Sequence, residues 1–338
     1  GRTMNEKFPA RHFQKLDGNR VRCLLCSKQC VTLPGKTGFC KSRINDAGEL
    51  FTLNYGNAVA INMDPMEKKP LYHFLPGTLI LSLGTNYCNL ACKFCQNYEI
   101  SQHKTNFTKV NPAYLLSLAR QSANCCGIAF TYNEPAIWYE FVYDCAKLFH
   151  DNGLKTVMVT NGDISEPALR ELAPYIDAMN VDLKAFSDNF YRDVCGNGSL
   201  EAVTDTIRLA WGLGIHVEIT NLLIPTLNDA NQAVSSLVDF VASVSPDIPL
   251  HFSRYHPSYL CEIQTTPIKT LNMAYEIGMR KLKFVYLGNV SDIAKNSTHC
   301  PSCGKILIKR EYFSSTIGGL SESGCCGACG EKIYGTFH

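Results

Sequence analysis

The chain has no surplus of either charge. Its 32 basic residues face 30 acidic ones, which removes the bulk electrostatic case for a nucleic-acid or anionic-membrane partner. No apolar run is long enough to span a bilayer. No glycine-rich dinucleotide fingerprint follows any candidate strand, and there is neither an internal repeat nor a low-complexity tract. Charged residues make up 18 % against 46 % hydrophobic, so a largely disordered chain is excluded and a sizeable core is expected. The opening Gly1-Arg2-Thr3-Met4 reads as a cloning scar before a natural Met4, with no charged-then-apolar secretory segment behind it. A cytoplasmic location is the resulting expectation.

What is present in quantity is cysteine. Seventeen are too many for packing alone, and gaps of two and three residues suit metal sites better than disulfides in a reducing compartment. In the central group, Cys88, Cys92 and Cys95, three thiolates stand without a fourth. A cubane [4Fe-4S] cluster held there keeps one iron free of protein, a place for chemistry. The bland alternative, a structural zinc, lacks a fourth nearby ligand. The terminal group, Cys300, Cys303, Cys326 and Cys329, forms two knuckles with zinc-ribbon spacing; Cys325 can replace Cys326, and an auxiliary iron-sulfur cluster is the runner-up. The first group, Cys23, Cys26, Cys30 and Cys40, is open between zinc, an additional cluster and free thiols. Cys125, Cys126, Cys145, Cys195 and Cys261 fall outside these groups.

Periodicity divides the chain into an irregular, cysteine-bearing module at 1–77, an alternating region at 78–290 and a turn-rich tail at 291–338. The first part shows no long helical stripe, only a short strand pair near 51–62. In the middle, strands are expected at 79–83, 127–131, 155–160, 177–183, 215–223, 249–253 and 283–287. Helices are expected at 113–122, 136–150, 165–173, 200–213, 230–243 and 267–279. Strands alternating with helices imply right-handed crossovers and a parallel sheet of about six or seven strands, an α/β fold. The polar residues gather where strands end: Asn133 and Glu134, Thr160 and Asn161, Asp182 and Lys184, Thr220 and Asn221, Arg254 and His256. In barrels that end carries the active site. Any single one of them reads as a turn or capping residue, but five strand ends agreeing, with the cysteine loop after a sixth strand at the same end, point to one mouth.

The run 82–101 (SLGTNYCNLACKFCQNYEIS), with Phe94 before its third cysteine, resembles the radical S-adenosylmethionine signature. With 67–78 (EKKPLYHFLPGT), TYNEP at 131–135, VTNG at 159–162, AMNVDLK at 178–184, RYHP at 254–257 and both outer cysteine groups, the chain resembles the AmmeMemoRadiSam system radical SAM enzymes. That family is similar to the activating enzymes of pyruvate formate-lyase and other glycyl radical enzymes. The resemblance implies a partial (β/α)6 TIM-type barrel. It also implies S-adenosylmethionine chelating the open iron, reductive cleavage to a 5′-deoxyadenosyl radical, and hydrogen abstraction from a protein or small-molecule substrate. A low-potential flavodoxin or ferredoxin is the implied electron donor. By the same resemblance, Asn133 and Glu134 stand where the methionyl amine is held. Thr160 and Asn161 match a Thr-Asn-Gly segment, while Asp182, Lys184 and His256 match the surroundings of the methionyl carboxylate. Two departures, Val159 for an aspartate and Thr220 for an arginine, weaken a direct transfer of glycyl-radical activation. A non-catalytic metal-binding interaction module is the competing class. Cys195 and His73 are read as packing residues.

Overall fold

The structure, a computed structural model, describes residues 7–338; the reading of residues 1–4 lies outside them. Eight strands form one sheet: β1 (Ala60–Pro65), β2 (Leu79–Gly84), β3 (Cys125–Phe130), β4 (Lys155–Thr160), β5 (Ala178–Asp182), β6 (His216–Leu223), β7 (Leu250–Arg254) and β8 (Val285–Gly288). They pair in sequence order from β1 to β8 and leave both edges open. The pairings from β2 to β8 are all parallel, and β1 closes the β2 edge antiparallel. The fold is the α/β partial barrel with a central parallel sheet. No described helix is long and apolar enough to cross a membrane.

Local chemistry explains the elements. Asn111 caps α1 (Pro112–Arg120) by accepting from Tyr114 N at 2.9 Å, with Pro112 at the first helical position where its missing N–H costs nothing. Helix α2 (Tyr139–Asp151) buries Phe141, Val142, Cys145, Ala146 and Phe149, one stripe at helical spacing that lies on the core. A single helix from 136 to 150 is expected, but Pro135–Trp138 is a 3-10 turn feeding α2. Pro135 sets its start, and the Glu134 carboxylate accepts from Ala136 N. Gly127 has no substitute: a Cβ there would stand 1.9 Å from the Lys155 carbonyl on β4.

The amino-terminal module is less irregular than expected. Strands Phe13–Leu16, Arg20–Cys23 and Val31–Thr32 form one small sheet, and Phe8–Pro9, Glu49–Thr52 and Arg43–Asp46 another. The module is tied to the barrel by a fully buried ion pair between Arg43 and Glu140 of α2 and by Ser27, whose N–H and hydroxyl both donate to Asp163. The tail, with the hairpin Ile306–Glu311 and Ser314–Ile317, packs at the opposite end of the strands. There Glu218 of β6, wholly buried, accepts from Tyr72 N and His73 N and lies 3.0 Å and 2.6 Å from the rings of His216 and His251. Those histidines hold its carboxyl well below the usual range against the opposing effect of burial. His73, between the Tyr334 carbonyl and the Tyr286 hydroxyl, is a structural histidine that locks the tail in place.

Candidate active site

The carboxyl ends of the strands open into a cleft of about 560 Å³, within the ~300 to 1,000 Å³ usual for a small-ligand pocket. Cys88, Cys92 and Cys95 line it together with Asn133, Glu134, Thr160, Asn161, Asp182 and Lys184. The cysteine loop follows β2 directly and is pinned from behind: Ala91 N and Lys93 N donate to the carbonyls of Cys195 and Val194, and the Ser258 hydroxyl donates to the Cys95 carbonyl. Tyr87 and Tyr132 adopt φ of 80° and 72°, a left-handed conformation costly for non-glycine residues and tolerated where the surroundings over-determine it.

Burial pushes the Cys88 and Cys95 thiols up, so they become thiolates at neutral pH only where a cation compensates. Leu90 N donates to Cys88 Sγ at 3.4 Å, and the Ser101 hydroxyl lies 3.1 Å from Cys95 Sγ. Cys195 is fully buried beneath this loop, close to Cys92, and takes no part in the cleft wall. The closeness of the two sulfurs pulls the Cys92 thiol down and the Cys195 thiol up.

Glu134 is the clamp between two strand ends. Its carboxylate accepts from Ala136 N (2.9 Å), the Thr160 hydroxyl (2.7 Å) and Asn161 N (2.7 Å). Burial outweighs these donors and pushes its pKa up to about 7. Asn161 in turn donates to Asn89 Oδ1 at 2.8 Å and stands 3.6 Å from Cys88 Sγ. Asn133 donates to the Tyr87 carbonyl at 2.6 Å and accepts from Thr85 N, so it fixes the start of the cysteine loop. Lys184, its side chain 14 % exposed, reaches Asp182 at 3.1 Å. Burial alone would discharge it, yet Asp182 and Cys92 hold its pKa well above the ordinary lysine value. It presents a full positive charge beside the cysteine loop. The Thr220 hydroxyl oxygen is buried in the same wall with no partner. His256 stands apart: its ring is exposed, 3.3 Å from the Thr265 hydroxyl, and it does not line the cleft.

Part of the cleft wall lies outside the expected residues. Lys68 and Lys69, just after β1, and Tyr132 surround Asp64, accepting distances being 3.0, 2.7 and 2.6 Å. Although burial opposes it, these donors hold the Asp64 carboxyl well below the usual range. The phrase at 67–78 contains the two lysines, but only pairing of β1 with β2 sets them against the cleft wall.

At the far end of the chain the sulfurs of Cys300, Cys303, Cys326 and Cys329 all lie within 4.8 Å of one another. Cys300 and Cys329 are 3.5 Å apart and Cys303 and Cys326 3.7 Å, near the ~3.8 Å that a tetrahedral zinc with ~2.3 Å bonds requires. Backbone N–H groups of Ala328 and Cys329 pull Cys326 down to about 6, favouring the thiolate a metal takes. Cys325 is not in this group.

Comparison with known proteins follows the same lines. The Radical SAM superfamily pattern matches residues 82–237. The chain is 42 % identical over 331 residues to "Uncharacterized protein MJ0808" of Methanocaldococcus jannaschii, across 96 % of this chain and 98 % of that protein. It is 22 % identical over 173 residues to the pyruvate formate-lyase-activating enzyme of Clostridium pasteurianum, across 50 % of this chain and 72 % of that one. Among solved structures, Streptococcus suis SuiB bound to S-adenosylmethionine superposes with a TM-score of 0.51 at 16 % identity, over 66 % of this chain and 53 % of SuiB. A radical SAM methyltransferase from Sphaerobacter thermophilus gives a TM-score of 0.51 at 15 % identity, over 90 % of this chain and 82 % of that one. At such identities these structures share the fold.

Proposed function

This chain belongs to the radical SAM superfamily, and from that premise we propose that its cleft binds a [4Fe-4S] cluster on Cys88, Cys92 and Cys95 with S-adenosylmethionine beside it. The enzyme then takes a hydrogen atom from its substrate. The observation that carries this reading is the convergence of three thiols from one loop and a charged, mostly buried lysine in the wall of one cleft. The unpartnered Thr220 hydroxyl in that wall fits a cleft built to hold a polar ligand.

When bound, the cluster and S-adenosylmethionine supply a one-electron reductive cleavage that yields a 5′-deoxyadenosyl radical. The chain's own residues orient and shield. Lys184 offers an ammonium to the methionyl carboxylate, a charge-assisted contact strong in a site with little water. Glu134 holds the ends of β3 and β4 at a fixed separation, so that Asn133 and Asn161 keep the cysteine loop in place from two sides. Asp182 keeps Lys184 charged. The substrate is a protein or a small molecule, with a low-potential flavodoxin or ferredoxin as electron source. Similarity to the Clostridium enzyme favours a glycyl radical protein as a second reading of the substrate.

The test is anaerobic reconstitution with iron and sulfide, followed by reductant and S-adenosylmethionine. The expected outcome is 5′-deoxyadenosine from the native chain and none from Cys92→Ala. A native chain that carries a full cluster and forms no 5′-deoxyadenosine refutes the mechanism. A chain that takes up zinc alone points instead to a metal-binding interaction module. Deuterium transfer from candidate substrates into 5′-deoxyadenosine would name the hydrogen donor.

A further inference from the structure

The radical chemistry leaves the amino-terminal thiols unused, although Cys23, Cys26, Cys30 and Cys40 all line one narrow cavity with about 20 Å³ of free space. Two other side chains in that wall are buried and have atoms with no partner: Arg43, 2 % exposed, at Nε, and Thr32, 6 % exposed, at its hydroxyl. The remaining guanidinium nitrogens of Arg43 are occupied by Glu140 and the Arg11 carbonyl, so Nε–H is the donor left over. A buried donor without an acceptor is costly, and native interiors rarely leave one. A cationic N–H and a hydroxyl in a wall of four thiols describe a ligand that is metallic, anionic and able to accept hydrogen bonds. Two sulfurs already have donors at hand: Phe39 N donates to Cys30 Sγ at 3.4 Å, and the Ser42 hydroxyl lies 3.1 Å from Cys40 Sγ.

Spacing separates zinc from a cluster. The carboxy-terminal sulfurs are drawn in within 4.8 Å of one another, as a single tetrahedral ion requires; among the described residues the amino-terminal four form no such group. A cubane attaches each thiolate to a different iron and so holds them farther apart. It also offers bridging sulfides, the acceptors that Arg43 Nε–H and the Thr32 hydroxyl lack.

We propose that Cys23, Cys26, Cys30 and Cys40 ligate a second [4Fe-4S] cluster, with Arg43 and Thr32 donating to its sulfides. All four irons have protein ligands, so this cluster carries electrons and does not bind S-adenosylmethionine. Its wall includes Asn89, the residue after Cys88 and the acceptor of the Asn161 hydrogen bond, which places it directly behind the cleft.

The experiment is independent of the reading of the cleft. The full chain carrying Cys88→Ala, Cys92→Ala and Cys95→Ala is reconstituted anaerobically with iron and sulfide. The expected result is about four irons and four sulfides per chain, with the Mössbauer signature of a cubane and about one zinc at the tail. Adding Cys23→Ser and Cys26→Ser removes the iron and leaves the zinc. In the reverse arrangement, Cys23→Ser with Cys26→Ser alone, iron falls by half from the native content while the remaining cluster is still formed. The proposal is overturned if the triple variant, folded by circular dichroism, holds no iron, if it holds a second zinc, or if its iron survives loss of Cys23 and Cys26.

Discussion

Replacing Glu134 by glutamine keeps the shape of the side chain and removes its charge, and it tests whether this buried carboxyl behaves as its surroundings dictate. The carboxylate accepts three hydrogen bonds, two on one oxygen and one on the other. A glutamine has one carbonyl oxygen, so whichever way the amide turns, a backbone N–H of Ala136 or Asn161 faces an NH2 group. One unsatisfied buried N–H costs about 1 to 3 kcal/mol. A second, pH-dependent part comes from the titration of Glu134, raised by burial from its ordinary 4.5 to about 7. Between those values the folded chain binds a proton that the unfolded chain has released, so the native protein loses stability as pH rises through this window. The variant has no such loss. From pH 5 to pH 8 the native chain should therefore lose about 2 kcal/mol relative to Glu134→Gln, and the gap between them should narrow. Thermal unfolding of both proteins, equally loaded with metal and scanned at pH 5, 6, 7 and 8, reads this directly. A gap that widens toward pH 8 would refute the reasoning, because it would mean that the three donors outweigh burial and favour the carboxylate.

Lys184→Met removes the ammonium from the cleft while keeping the length of the side chain; S-adenosylmethionine affinity, measured by calorimetry on the reconstituted protein, should fall by roughly tenfold or more. Gly196→Ala places a Cβ 2.7 Å from that of Ala91 at a φ of 70°, which pushes the cysteine loop off its support. Iron content at the central cysteines should drop while zinc at the tail stays unchanged. Cys303→Ser opens the tail tetrad, and the variant should lose its zinc by elemental analysis. The contacts of Tyr334 with His73 and Val217 N should then loosen, seen as faster amide exchange at Val217 than in the native chain.

Local order was readable wherever it rests on neighbours in the chain. Strand 155–160 has the expected bounds because Lys-Thr-Val-Met-Val-Thr is a β-branched, largely buried run, and α2 differs only by the turn that Pro135 imposes at its start. The strand at 60–65 was not readable as part of the barrel. Its alternation is visible, but the choice of β2 as partner depends on which edge the folded sheet leaves open, and that choice sets Lys68 and Lys69 in the cleft wall, held by the buried Asp64. Glu218 is likewise one acidic letter in an apolar strand until folding sets two histidines and two backbone N–H groups around it.

The cysteines mark the same division. Spacing along the chain marked out three cysteine groups as candidates, because gaps of two or three residues let one loop turn several thiols toward one point. It also determined that the central group has three ligands rather than four. Only the folded chain decided that the tail sulfurs close to zinc distances and the amino-terminal ones do not, and that Arg43 and Thr32 stand unpartnered beside the latter. It also left Cys195 under the loop and His256 outside the cleft. Sequence spacing sets which thiols can meet, and the packing of elements far apart in the chain sets how closely they do.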